Sequence, residues 1–257
     1  MLLDFFRKTF LSKKSLACGD INFKAIEDVI CYKFRDRDYL CEAFKHRSYL
    51  TISREPAHKS NERLEFLGDA VLDLVVTEFL YTEFPQESEG VLSKIKSVLV
   101  SRKVLAQIVS DMNLGRFILM NRGEEQTGGS ERFSNLANLY EAILGAIYMD
   151  RGLRFANKFI ISTLLDDYDK IITDQDHINY KSLLLEYAQA KGLGNPQYIL
   201  SGESGPDHEK YFKIEVSLQD LDSASGTGRS KKSAEQNSAK NLLEQIAPEL
   251  IENSTQS

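Results

Sequence analysis

The 257-residue chain has no tryptophan, five prolines, four histidines and three cysteines. None of its apolar runs approaches the roughly 20 residues needed to cross a bilayer, so no helical membrane span is expected. Cys18, Cys31 and Cys41 are odd in number and lack CxxC spacing. Neither a thiolate zinc site nor a disulfide framework is therefore expected, and the three read as reduced thiols, mostly core filler, in a cytoplasmic protein. Strict polar–apolar alternation is missing from the first 170 residues, which argues against strands there. Excess positive charge is missing too, the formal net charge being −6. That sum speaks against a globally basic nucleic-acid binder. Counterion release, however, depends on a few lysines and arginines meeting phosphates, so the placement of charge matters more than its total.

What is present is an ordinary globular composition, with an apolar fraction of 42% that permits a sizeable core. The start, MLLDFFRKTFLSKKSLACGD, is basic and amphipathic but carries Asp4 and no arginine cluster. It reads as a plain extension rather than a presequence or membrane-surface helix.

Apolar residues recur at helical spacing through 22–50, 62–84, 90–114, 135–149 and 154–170. Breakers fall between them at Pro56, Pro85, Gly115 and the polar loop NRGEEQTGGSER at 121–132. Residues 20–170 thus read as one all-α domain. The stretch DYDKIITDQDHI that follows is polar and acidic, as a linker would be. Beyond it the pattern predicts a helix at 181–191 closed by Gly192, strands at 197–203, 211–218 and 223–229, and a helix at 230–247. The order αβββα makes residues 179–248 a small α+β domain with helices on one sheet face. The polar tail from about 249 reads as disordered.

The segment 61–76, NERLEFLGDAVLDLVV, carries the strongest chemical signal. At about 100° per residue, Glu62, Glu65, Asp69 and Asp73 share an arc of roughly 80°. The remaining circumference is almost wholly apolar, which predicts a buried helix. Gly68 costs close to 1 kcal/mol in a helix interior relative to alanine, so it points to close packing. Like charges repel at i,i+4, and anions beside a core must be neutralised. A hard divalent cation, Mg²⁺ or Mn²⁺, would do this. The bland alternative is a solvated acidic stripe on a surface helix. In NLANLYEAILGAIYM, 135–149, the strongly polar residues are Asn135, Asn138 and Glu141. Asn138 and Glu141 are i,i+3 neighbours on an otherwise core-like helix, and Glu141 is a second candidate ligand unless an arginine meets it. Glu89, opening a helix, is a weaker candidate, because an acid there usually serves the helix dipole.

NERLEFLGDAVL at 61–72 closely resembles the signature of the ribonuclease III family. HRSY at 46–49, EGVLSK at 89–94 and ANLYEAILGAIYMDRG at 137–152 look like the other segments of its endonuclease domain, in order. The second domain is similar to a double-stranded-RNA-binding domain, with GPDH at 205–208 and GRSKKSAEQNSAK at 228–240. The resemblance implies metal ligation by Glu65 and catalysis by Asp69, with Glu141 doing both, and accessory acids Glu62 and Glu89 in the same valley. It also implies a symmetric homodimer in which Phe66 plugs the partner subunit, although a core phenylalanine fits the sequence equally well. Where the family usually has a fourth acid, this chain has Asn138. An amide oxygen can still ligate Mg²⁺ but brings no charge.

Residues 179–250 hold eight Lys/Arg against ten Asp/Glu, yet Arg229, Lys231, Lys232 and Lys240 face only Glu235 between 229 and 240. A lysine pair at a helix start is usually just a solvated end, although the N–H groups there also favour phosphate. By resemblance, Lys231 and Lys232 contact phosphates, with Arg229 in the same basic stretch. His208 and the 181–191 helix, including Glu186, then reach minor grooves. The expected activity is Mg²⁺-dependent hydrolysis of double-stranded RNA to 5′-phosphate and 3′-hydroxyl ends, acting in ribosomal and messenger RNA processing. The rivals are a non-cleaving duplex-RNA-binding protein on the same fold, and a dimerising helical domain with solvated acids.

Overall fold

The computed structural model describes residue 18 and residues 21–173, 179–206, 209–218 and 223–251. The chain divides into two compact units, Met1–Tyr168 and Asp169–Ser257.

In the first unit the helices are α1 (Phe23–Val29), α2 (Arg37–Ala43), α3 (Leu50–Ser53), α4 (Glu62–Glu83), α5 (Glu89–Leu99) and α6 (Arg102–Asp111). They continue with α7 (Arg122–Gln126), α8 (Phe133–Arg151) and α9 (Leu153–Ile160), the last running into a π-helical turn at Ile161–Leu165. Short polar side chains start several of them: Asn22 accepts from Ala25 N, Asp36 from Asp38 N and Ser101 from Val104 N, which satisfies amides that a helix start leaves open. Helix α8 is the axis of the core. Its Leu136, Ala137, Leu139, Tyr140, Ala142, Ile143, Leu144, Ala146 and Ile147 are all buried, and α2, α4, α6 and α9 pack around it.

Helix α4 crosses α8 at backbone contact. A Cβ on Gly68 would overlap the Glu141 carbonyl, and one on Gly145 would overlap the Leu64 carbonyl. Only glycine at both positions lets the two backbones approach this closely.

In the second unit α10 (Tyr168–Thr173) and α11 (Tyr180–Lys191) precede β1 (Gln197–Ser204), β2 (Tyr211–Ser217), β3 (Ser223–Gly228) and α12 (Lys231–Ile246). The strands form an antiparallel sheet in the order β1-β2-β3, with a register shift in β1 between Leu200 and Gly202. Ile214 and Val216 of β2 point inward, and Leu184, Ala188, Ala239, Leu242 and Leu243 from α11 and α12 complete a fully buried apolar layer. Gly192 ends α11 in the left-handed region at φ 69°, as a helix C-terminus favours.

Several expectations are corrected. Cys18 and Cys41 are joined in a disulfide, with Cα atoms 5.9 Å apart. Tertiary packing buries both and brings them into bonding range, which their 23-residue separation does not signal. Cys31 is exposed, not core filler. Helix α4 is not buried all round, since Phe66, Leu74 and Tyr81 are 81%, 55% and 76% exposed. Phe66 is therefore not a core residue of its own subunit. The loop at 121–132 contains α7 and a 3-10 turn at Gly129–Glu131. The stretch read as linker begins with α10, and residues 174–178 lie outside the described residues. Residues 248–251 form a further helical turn that buries Ile251, so the polar tail starts later than its composition suggests. The basic N-terminal extension lies outside the described residues, apart from Cys18. No helix among the described residues is long and apolar enough to cross a membrane.

Candidate active site and duplex-binding face

The acidic site begins at the turn that leads into α4. Lys45, fully buried, places its ammonium 2.7 Å from both Glu55 oxygens. Its carbonyl accepts from Asn61 N at 2.9 Å, and the Asn61 carbonyl accepts from Glu65 N at 2.8 Å. A buried ion pair with two charge-assisted bonds thus fixes the first turn of α4. Next to it, His46 Nδ1 accepts from Ser48 N at 3.2 Å, and Ser48 Oγ accepts from Asn121 N at 3.1 Å. The HRSY segment thereby anchors the loop that leads to α8.

A cavity of about 280 Å³ opens between these elements. Glu62, Glu65 and Asn138 line it together with His46, Arg47, Glu124 and Arg132. Ser60 Oγ donates to Glu62 at 3.0 Å. Glu124 pairs with Arg132, and Asn135 Nδ2 donates to the Gly129 carbonyl at 2.9 Å, so the loop is tied to the start of α8. Periodicity gives no hint of Arg47, Glu124 or Arg132, because they come from short turns and loop segments outside α4 and α8. HRSY was the only signal for His46.

Glu141 and Asp69 flank the Gly68 contact between α4 and α8. Burial, reinforced by the charges of Asp69 and Glu65, pushes the Glu141 carboxyl up to about 7. Burial also raises Glu65, with Glu62 and Asp69 adding to the effect. The Arg102 guanidinium opposes the shift at both. These acids therefore share one field and lack enough positive charge. Among the described residues no three His, Cys, Asp or Glu side chains close on a common point as a preformed metal cage. Carboxylates and an amide are hard oxygen donors, the kind that a divalent cation takes.

Two of the acids read from the sequence do not join this group. Asp73 pairs with Lys96 of α5 at 3.3 Å. Glu89 accepts from Ser93 at 2.7 Å and lines a separate, more apolar cavity of about 580 Å³ with Tyr81, Phe84 and Leu92.

In the second unit Lys231 and Lys232 are exposed at the first turn of α12, whose Ser230 cap accepts from Ser233 N at 3.1 Å. Arg229 lies 5.9 Å from the Tyr211 ring centroid and Lys231 lies 5.8 Å from that of Phe212. Rings of β2 thus hold two cations near the helix start. Glu186 is exposed on α11. His208 lies outside the described residues.

Two family models match the chain, one in each unit. Residues 36–168 match the model of a ribonuclease-III-like family, and residues 180–246 match the double-stranded RNA binding motif. The chain is 41% identical to ribonuclease 3 of Pseudothermotoga lettingae, over 84% of this chain and 92% of that protein. It is 42% identical to ribonuclease 3 of Fusobacterium nucleatum, over 86% and 94% of the two chains. Among solved structures it resembles the ribonuclease III nuclease domain of Campylobacter jejuni, described for flexibility in a region involved in dimer formation. That likeness has a TM-score of 0.52 and 42% identity, covering 56% of this chain and 97% of the other. With this agreement across both units, the chain belongs to the ribonuclease III family of divalent-metal-dependent endoribonucleases.

Proposed function

We propose that the protein cleaves double-stranded RNA with Mg²⁺ as its working cation, using Asp69 and Glu141 as catalytic residues and Glu65, Asp69, Asn138 and Glu141 as the metal-holding set. The observation that carries this is the upward shift of Glu141 to about 7 beside Asp69 and Glu65, a cost that a bound cation removes. The bound cation supplies Lewis acidity to the scissile phosphate and lowers the pKa of a water molecule. The protein side chains orient and neutralise. Glu65 and Glu141 hold positive charge at the α4–α8 contact, and Asn138 adds an amide oxygen without charge. Glu62 stands at the cavity wall as an accessory acid, fixed by Ser60. Mn²⁺ is a chemically reasonable substitute, since it accepts the same oxygen donors.

In the proposed assembly, residues 20–170 act as the nuclease domain and 179–248 as the duplex-binding domain. Lys231, Lys232 and Arg229 meet phosphates, while Glu186 and His208 face minor grooves. The 81% exposure of Phe66 supports a role at a homodimer interface, where an exposed aromatic would be covered. Glu89, remote from the acid cluster within one chain, is kept as an accessory acid. Substrates would be structured transcripts, including ribosomal and messenger RNA precursors, which implies a cytoplasmic location.

Incubating the purified protein with long duplex RNA, with Mg²⁺ or with EDTA, tests the reading. Cleavage to 5′-phosphate ends in Mg²⁺ alone is expected. Binding without any Mg²⁺-dependent cutting would instead favour a non-catalytic RNA-binding protein.

A further inference from the structure

Glu235 is the single acid among the cations from Arg229 to Lys240. By charge alone it should weaken the attraction of that face for phosphate. The structure engages it elsewhere. Its Oε2 accepts from Lys181 Nζ of α11 at 2.5 Å, and the same ammonium lies 4.6 Å from the centroid of the Tyr198 ring. The adjacent Gln236 reaches the same place. Its Oε1 accepts from Lys181 N at 3.2 Å, and its Nε2 donates to Asn179 Oδ1 at 2.8 Å. Asn179 is itself the cap of α11, accepting from Ser182 N at 3.3 Å. Two consecutive side chains of α12 therefore clasp the first turn of α11.

This clasp is not needed to hold the two helices together. Leu184, Ala188, Ala239, Leu242 and Leu243 already pack them through a fully buried layer. The Lys181 and Glu235 side chains remain 33% and 26% exposed, and pairs that open to solvent contribute little to stability. What the clasp does fix is the separation between the start of α11 and the end of α12 that carries Lys231 and Lys232. Duplex RNA is recognised by shape, through contacts in successive grooves, so that separation must match the helix before all contacts can form together. Holding it in advance lowers the ordering cost of binding.

We propose that Glu235 and Gln236 are positioning residues for duplex recognition, setting the spacing of the two RNA-facing helices through Lys181 and Asn179. The inference rests on the reading that α11 and the Lys231/Lys232 end of α12 both contact RNA. It makes a prediction of opposite sign to simple electrostatics, under which removing an acid from a cationic face strengthens binding.

The test measures binding of a fluorescent RNA duplex to the full chain in EDTA over a range of salt, with melting curves for each variant. E235A should weaken binding about fivefold, the scale of one half-exposed ion pair, while E235Q should fall between it and the parent. K181M should weaken binding equally, and K181M/E235A no more than either alone, because both break one interaction. The salt slope should not change, since neither residue meets a phosphate. Tighter or unchanged binding by E235A overturns the proposal, as does a K181M slope reduced by about one, which would make Lys181 itself a phosphate contact. The variant K231Q/K232Q separates the two readings. If it binds as the parent does, the RNA-facing surface is wrong and both readings fall. If it weakens binding while E235A does not, only the clasp falls.

Discussion

The helical unit partly withdraws Glu65 and Glu141 from water while Asp69 and Glu62 stay exposed, whereas the sheet-bearing unit leaves Arg229, Lys231 and Lys232 all in solvent. Burial first, and neighbouring acids second, push Glu141 and Glu65 toward protonation. Lys231, Lys232 and Arg229 stand exposed at a helix start. The difference follows from the ligands. A small cation is held by converging oxygens that would repel one another without it. A polyanionic duplex is met by a few separated cations that displace its condensed counterions. The two units also tolerate change differently. The acid site depends on backbone contact between α4 and α8 through Gly68 and Gly145. The cationic face depends on a capped helix end and on side chains that lie over rings.

The comparison is broken most sharply by Asp69→Asn. Cleavage of duplex RNA should fall by about a thousandfold or more, while duplex binding in EDTA stays at the parent value. A parallel loss of binding would mean the two units are not separable in function. The reciprocal variant, Lys231→Gln with Lys232→Gln, should weaken binding about tenfold or more and lower the salt slope by roughly 1.8. Divalent-metal binding, followed by calorimetric titration, should be unaffected.

The pH dependence distinguishes the units next. Glu141, raised to about 7 in the fold from the ordinary glutamate value of 4.5, binds more proton when folded than unfolded between those values. Stability of the metal-free helical unit should therefore be greatest below about pH 4.5 as far as this group is concerned, and decline as pH rises through about 7. A divalent cation must displace the proton, so the concentration needed for half-maximal cleavage should rise by up to about tenfold per unit as pH falls below about 7. Melting curves with and without Mg²⁺, and cleavage titrations at several pH values, check both signs. Asn138→Asp carries the smallest effect. It restores one negative charge to the donor set and should tighten Mg²⁺ about fivefold, on the order of 1 kcal/mol. An unchanged metal constant would remove Asn138 from the ligand set.

Much of the site was legible because helical periodicity is a local property. Glu62, Glu65 and Asp69 at their spacing, and Asn138 with Glu141 on a second apolar segment, follow from about 100° of rotation per residue. The alternation Phe212, Ile214, Val216, Leu218 marked the central strand in the same way. What escaped was non-local. Asp73 shares the acidic arc, yet Lys96 on another helix takes it out of the cluster. Leu74 reads as core but lies exposed, because α4 buries only the face that meets α8 and its neighbours. The Cys18–Cys41 bond has no sequence spacing to announce it. Nor could composition show that Glu235 pairs with Lys181 of another helix.

The sequence by itself determined the two-part αβββα-terminated architecture, the family, and the identity of the acids on α4 and α8. Each of these rests on periodicity and motif spacing within short stretches of chain. Only the tertiary structure decided which acids form one electrostatic group. Their pKa values depend on burial and on charges brought close by the Gly68–Gly145 contact, and neither exists until the two helices meet.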